Sequence, residues 1–246
     1  MSKQQIAVAL IGVLALAGRV AGQVIIDANF NTQPLGPLAD GAAPDYPDII
    51  RDPGTRADVV ASAGDLADKP VVLQSTPGGL ACVAFDNPAQ LASGKWRVSW
   101  DSLVLDPPVL DPPVQSNVAI VANAATVWGI KYLPTGQFLV EDSGGFHAIG
   151  GFAIGLSDHF DLDLDLDGKT YDLSINHAGM LGGALAANGE FLLTYFRSNG
   201  RGFDVPLPRL AFDNVKVIGV PEPSAFALAC LAAAPLLRRR RSRLTA

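Results

Sequence analysis

Cysteine, glutamate and histidine are all scarce in this 246-residue chain, and each scarcity closes off a class of protein. Cys82 and Cys230 are the two cysteines, and Cys230 sits in an apolar run near the C-terminus. The pair should therefore lie in different phases, which excludes a disulfide framework. Cys82 reads as a small buried apolar residue, and the domain must rely on its core. The histidines His147, His159 and His177 show neither His-Glu-x-x-His spacing nor a nearby Cys, so the sequence argues for no transition-metal site. No phosphate loop or dinucleotide fingerprint occurs. Gly155-Leu156-Ser157-Asp158-His159 lacks the second glycine of a nucleophile elbow. Glutamate occurs at Glu141, Glu190 and Glu222 alone, while Asp, Gly and Pro abound, a composition that disfavours helices.

What the chain does have begins at its two ends. Lys3 precedes a charge-free apolar run at 6–17, and Val20-Ala21-Gly22 then supplies the small residues that a signal peptidase cuts after. Residues 1–22 read as a secretory signal helix, with the mature chain starting near Gln23. About 12 apolar residues suit a signal core and are too few for a spanning helix. Near the other end, Val220-Pro221-Glu222-Pro223-Ser224 is a stiff extended segment, because two prolines fix φ. An apolar stretch at 225–237 follows, and then Arg238, Arg239, Arg240 and Arg241. Such a stretch orients with its arginines in the cytoplasm and the preceding domain outside. At about 13 residues it is roughly 20 Å of helix against a hydrocarbon core of about 30 Å, a weak transmembrane anchor.

These three parts, in this order, resemble the PEP-CTERM sorting signal of Gram-negative, biofilm-forming bacteria. The resemblance implies processing of residues 220–246 by a membrane protease-transpeptidase of the exosortase type, and company with exopolysaccharide production. Pro235, which interrupts the short helix, departs from the pattern and weakens the anchor.

Residues 23–219 suffice for one domain with a real core. Without Lys3, Arg19, the five tail arginines and Glu222, 11 basic and 23 acidic residues remain, a net charge of about −12. That charge argues against nucleic acid as a partner and tolerates divalent cations and neutral sugars. Short strand-like segments are expected at 24–30, 71–75, 80–85, 95–105, 117–121, 126–133, 137–141, 152–156, 160–166, 169–176, 191–197 and 210–218, with a Pro- and Asp-rich meander at 31–58. Many short strands separated by turn residues predict an all-β, antiparallel two-sheet sandwich. Asp167-Gly168 predicts a two-residue hairpin turn, setting Leu164 opposite Tyr171, Leu162 opposite Leu173 and Asp163 opposite Asp172. The first and last strands should be neighbours. The tandem Leu105-Asp106-Pro107-Pro108-Val109 and Leu110-Asp111-Pro112-Pro113-Val114 reads as a stiff duplicated loop.

The opening Ile25-Ile26-Asp27-Ala28-Asn29-Phe30, the hairpin at 159–176 and the closing Ala211-Phe212-Asp213-Asn214-Val215-Lys216-Val217 resemble the concanavalin A-like, laminin G-like jelly roll. The resemblance implies binding, often of carbohydrate and sometimes with calcium; some members are glycosidases or lyases.

Three constellations suggest chemistry. Alternation places Asp161, Asp163 and Asp165 on one strand face, with Asp172 opposite Asp163. Four like charges repel unless solvated or bound to a cation, and calcium takes oxygen ligands. The alternative is a solvated hairpin face whose charges block edge pairing. An EF-hand is excluded because its twelfth position is Ser174. Asp163, Asp165 and Asp167 imitate the alternating acids of laminarinase-like glycosidases, but Asp stands where the longer Glu is needed. Among aromatics, Trp96 and Trp100 read as core, while Trp128 and Tyr132 are candidates for stacking on sugar.

The chain thus reads as an exported, non-enzymatic surface or matrix protein. It would be held transiently in the inner membrane, then released to the envelope or the medium. Its expected partners are signal peptidase, an exosortase-type enzyme and surface polysaccharide. The alternatives are a polysaccharide-active glycosidase or lyase on the same fold, and a ligand-free structural protein.

Overall fold

Period-two burial organises the chain. Along β12 (Asp158–Asp165) the buried Phe160, Leu162 and Leu164 alternate with the half-exposed Asp161, Asp163 and Asp165. Apolar residues at every second position give such a strand one apolar face, which must find a partner. In the computed structural model the described residues are 24–38, 48–91, 93–107, 116–122, 125–185, 191–199 and 208–220. The chain divides into one compact unit at Val24–Ile218 and a second made of Met1–Gln23 with Gly219–Ala246. Nearly all of the second unit lies outside the described residues, and with it the expected signal helix and the sorting tail beyond Val220. Most of the proline repeat lies outside them too.

The described residues form sixteen strands and no helix, and no helix among them is long and apolar enough to cross a membrane. One sheet holds β14 (Ala178–Ala184), β13 (Thr170–Ile175), β12, β7 (Lys95–Val104), β16 (Leu210–Gly219), β5 (Val71–Gln74), β4 (Arg56–Val59) and β2 (Gly36–Pro37), in that order. β1 (Val24–Ala28) pairs antiparallel with β16, so the first and last described strands are neighbours as expected. The second sheet runs β11 (Gly145–Ile149), β10 (Phe138–Asp142), β9 (Ala125–Tyr132), β8 (Ser116–Ala122), β15 (Phe191–Asn199), β6 (Leu80–Leu91) and β3 (Asp48–Arg51).

The two sheets close on a shared aromatic core. Trp100 of β7 stacks on Phe160 of β12, rings parallel with centroids 4.9 Å apart, and meets Trp128 of β9 edge-on at 6.2 Å. Phe196 of β15 stacks on Phe212 of β16 at 4.1 Å. The Trp100–Trp128 and Phe196–Phe212 contacts bridge the sheets, so each sheet's apolar face is removed from water by the other. Cys82 is buried, as expected of a small apolar residue.

The all-β, two-sheet antiparallel architecture agrees with the sequence, and so does the hairpin register: Leu162 faces Leu173, Asp163 faces Asp172 and Leu164 faces Tyr171. The tip differs. Pairing stops at Asp165 and Thr170, leaving a four-residue loop rather than a two-residue Asp167-Gly168 turn. The Asp165 carboxylate accepts the Gly168 N–H at 2.8 Å, and Lys169 takes the left-handed conformation at φ 53°. The loop therefore turns at Lys169, where the sequence suggested glycine.

Two further expectations need correction. Residues 152–156 are loop, with Ile154 and Leu156 exposed, and β11 stands just before them. That loop is spent on tertiary contacts: Gly155 N–H donates to the Val104 carbonyl at 2.9 Å, and its own carbonyl accepts from Asp65 at 3.2 Å. Gly155 has φ 76°, outside any strand. The meander at 31–58 contains β2, β3 and the start of β4, short strands whose prolines and aspartates mask their pattern.

Candidate functional site

The outer face of the hairpin β12–β13 and its neighbour β7 carries the acidic row. Strand register decides what each carboxylate meets. Asp165 lies beside Lys95, Asp163 beside Arg97 and Asp161 beside Ser99. Arg97 Nε and Nη2 donate to the two oxygens of Asp163, both at 2.7 Å. Lys95 Nζ stands 3.3 Å from Asp165. The Gly168 N–H, and after it Lys95, holds the Asp165 carboxyl below the usual range. Two cations of β7 thus relieve the repulsion at Asp163 and Asp165. Among the described residues, Asp161, Asp163, Asp165 and Asp172 do not converge as a ligand group.

Asp161 has different company. His159 Nε2 is 3.6 Å from Asp161 Oδ2, and His177 Nδ1 is 3.9 Å from the same oxygen. His159 comes from β12, two residues before Asp161 on the same face. His177 comes from the two-residue loop Asn176-His177 between β13 and β14, where φ is 52° and 64°. The far side of the His159 ring is engaged as well: Nδ1 lies 2.6 Å from Asp101 Oδ1. Asp101 Oδ2 in turn accepts from Asn214 Nδ2 at 2.7 Å.

The aromatics expected at the surface are not there. Trp128 is 0% and Tyr132 2% exposed, because alternation along β9 turns Trp128, Ile130 and Tyr132 inward together. Neither ring can stack on a sugar. The Tyr132 hydroxyl hydrogen-bonds Ser102 Oγ at 2.8 Å, and Ser102 Oγ also accepts from Trp100 Nε1 at 3.1 Å. Burial, first among the causes, drives the Tyr132 phenol upward. Among the described residues, Trp128 Nε1 is a buried side-chain nitrogen without a hydrogen-bond partner. Trp96 is half-buried against the core, and Trp100 is within it.

Among the described residues an exposed ring is found instead at Phe146, 62% exposed on β11. Lys131 Nζ sits over it at 4.9 Å from the centroid and bonds Glu141 at 2.6 Å. On the opposite face of β11, His147 reaches Asp142, whose carboxylate also accepts the Tyr171 O–H at 2.6 Å and the Gly144 N–H at 2.7 Å. A concavity of about 340 Å³ on the outer side of β4 and β5 is lined by Asp58, Val60, Gly64, Leu105 and Arg209, with no aromatic ring.

No protein-family model matches the sequence, and no curated protein matches it. Solved structures match in fold. A protein described as a sialidase superposes with a TM-score of 0.61 at 14% identity, over 80% of this chain and 18% of that one. A conserved carbohydrate esterase of a Shiga toxin-encoding bacteriophage gives 0.54 at 13% identity, over 82% of this chain and all of the other. The binding domain of Paraclostridial Mosquitocidal Protein 1 gives 0.51 at 13% identity, over 86% and 52%. This chain therefore spans less than a fifth of the sialidase's length. At such identities the likeness shows a shared β-sandwich and nothing finer.

Sequence reasoning missed both Phe146 and the His159–Asp161–His177 group. The hairpin register already placed residue 176 opposite 159, so His177 belonged at the end of the strand bearing His159. Phe146 carried no comparable signal, since a lone Phe between glycine and histidine reads equally well as core.

Proposed function

We propose that this is an exported, non-enzymatic surface protein, sorted by a PEP-CTERM signal at residues 220–246, whose β-sandwich associates with exopolysaccharide. The association is carried by Phe146. An exposed ring on a rigid strand, with Lys131 over one face and paired to Glu141, offers its remaining apolar surface beside polar groups, the combination that a pyranose ring requires. The net negative charge suits a neutral glycan, and likeness to the sialidase and the esterase is in keeping with carbohydrate as the partner. Val220-Pro221-Glu222-Pro223-Ser224, the apolar run and Arg238 to Arg241 support the sorting step, with signal peptidase and an exosortase-type enzyme as processing partners.

The test is affinity electrophoresis of the protein in gels containing exopolysaccharide from a biofilm-forming Gram-negative producer. Retardation is expected. Phe146→Ala should weaken it about fivefold, the effect of roughly 1 kcal/mol of ring stacking. Because Phe146 is exposed, its melting temperature should stay as in the parent. Unchanged retardation in the variant, or none in the parent, refutes the assignment. Mass spectrometry of the surface-exposed protein should find the C-terminus cut within 220–246; an intact tail there refutes the sorting step.

A further inference from the structure

We propose that His159, Asp161 and His177 form a binding site for a divalent transition-metal ion of the zinc class. Their ligand atoms, one from each side chain, all lie within 4.8 Å of one another, with Asp161 Oδ2 at 3.6 Å from His159 Nε2 and 3.9 Å from His177 Nδ1. Zinc holds nitrogen and carboxylate oxygen at about 2.0–2.2 Å, so tetrahedral ligands stand roughly 3.4 Å apart. The two imidazoles need approach Asp161 by only a few tenths of an ångström, and one another by at most about 1.4 Å. The His177 side chain is 81% exposed and can make that movement without disturbing the core.

A second observation is independent of the cluster's spacing. His159 Nδ1 is bound to the carboxylate of Asp101 at 2.6 Å, and Asp101 is itself held by Asn214 at 2.7 Å. A carboxylate on the outer nitrogen places the ring proton at Nδ1, leaving the Nε2 lone pair directed at Asp161. Carboxylate–histidine pairs of this kind orient metal-bound imidazoles and raise their basicity. Asp101 is a positioning residue, and Asn214 positions it in turn. The carboxylates of Asp101 and Asp161, one on each side of the imidazole, give a doubly charged ion a strong electrostatic reason to bind.

The donor set also selects the ion. Two imidazole nitrogens and one carboxylate favour zinc, cobalt or nickel over calcium and magnesium, which require an oxygen cage. Three protein ligands leave at least one position for water. The loop supports the assignment: His177 occupies a left-handed position at φ 64°, where glycine would be unstrained.

The full chain, stripped with a chelator, is titrated with zinc, and separately with calcium, by isothermal calorimetry. One zinc per chain is expected, with calcium at millimolar concentration giving no saturable heat. His177→Gly should be at least as stable as the parent without metal, since the turn is relaxed, yet lose zinc affinity at least tenfold. Asp101→Asn should weaken zinc binding by about tenfold to a hundredfold while leaving the stoichiometry at one. His147→Ala, which alters the histidine bound to Asp142, should leave zinc binding unchanged. Absence of zinc binding at 100-fold excess overturns the proposal. So does zinc binding that survives both His177→Gly and His159→Ala, or calcium binding more tightly than zinc.

Discussion

Asp213 lies on β16, the strand that carries Phe212 into the core, and only 2% of it is exposed. Its carboxylate accepts the Asn214 N–H at 2.7 Å. Burial is the largest influence and, joined by the charges of Asp101 and Asp68, outweighs that hydrogen bond, raising the carboxyl from 3.8 to about 7. The sign of the pH effect follows. Between about pH 4 and pH 7 the folded protein retains a proton that the unfolded chain has released, so stability falls as pH rises through that window. With each pH unit there worth about 1.4 kcal/mol, the ceiling is roughly 4 kcal/mol. Dielectric relaxation around the site brings the expected loss to about 2–4 kcal/mol. Asp213→Asn retains an oxygen for the Asn214 N–H and cannot ionise. Urea unfolding should therefore give similar stabilities at pH 4.5 and a variant more stable by about 2–4 kcal/mol at pH 8. A difference that does not change with pH, or a variant less stable at pH 8, would refute the argument and mean that the folded protein stabilises the Asp213 charge.

Other substitutions probe the rest of the fold. Phe160→Ala removes a ring stacked on Trp100 and edge-on to Phe138 at 5.5 Å, and should cost about 3–5 kcal/mol in chemical denaturation. Arg97→Ala breaks a bidentate pair whose two side chains are each 43% exposed, so the loss should be under about 1 kcal/mol and shrink further in high salt. Asp142 behaves oppositely to Asp213: burial raises its carboxyl, but Tyr171, Gly144 and His147 together hold it below the usual range. Its contribution is present at neutral pH and lost as pH falls from about 4 through the lowered value, so Asp142→Asn should destabilise at pH 7 and converge with the parent in acid.

The legible parts of the sequence were those with a strict period. The pattern Asp161-Leu162-Asp163-Leu164-Asp165 permits one facing and one register, and the structure has both. Trp128 and Tyr132 were misread because alternation assigns them a common face with Ile130 without saying which face points inward; that choice depends on the opposite sheet, where Trp100 waits. β14 escaped because Ala178-Gly179-Met180-Leu181-Gly182-Gly183-Ala184 has no apolar rhythm. Its glycines serve close approach instead. A Cβ on Gly183 would stand 2.6 Å from Asp142 Oδ2 and 2.9 Å from the Tyr171 hydroxyl, and one on Gly182 would stand 2.7 Å from Asp172 Oδ1. Such steric reasons belong to neighbours distant in sequence, and no local pattern reports them.

The acidic row shows how two strands divide one surface between structure and chemistry. On β12, Asp161, Asp163 and Asp165 are chemically alike and share the outer face. Their partners on β7 differ: Lys95, Arg97 and Ser99 stand opposite Asp165, Asp163 and Asp161 in turn. Two carboxylates receive a cation and become part of the sheet's outer scaffold. The third faces a hydroxyl that cannot neutralise it, and the next residue of that face on β12 is a histidine. Were residue 99 another lysine, its ammonium would occupy the side of Asp161 that the imidazoles now share, and the metal site would be replaced by a third ion pair. The single step from a basic residue to serine on β7 is what leaves Asp161 available to the two histidines.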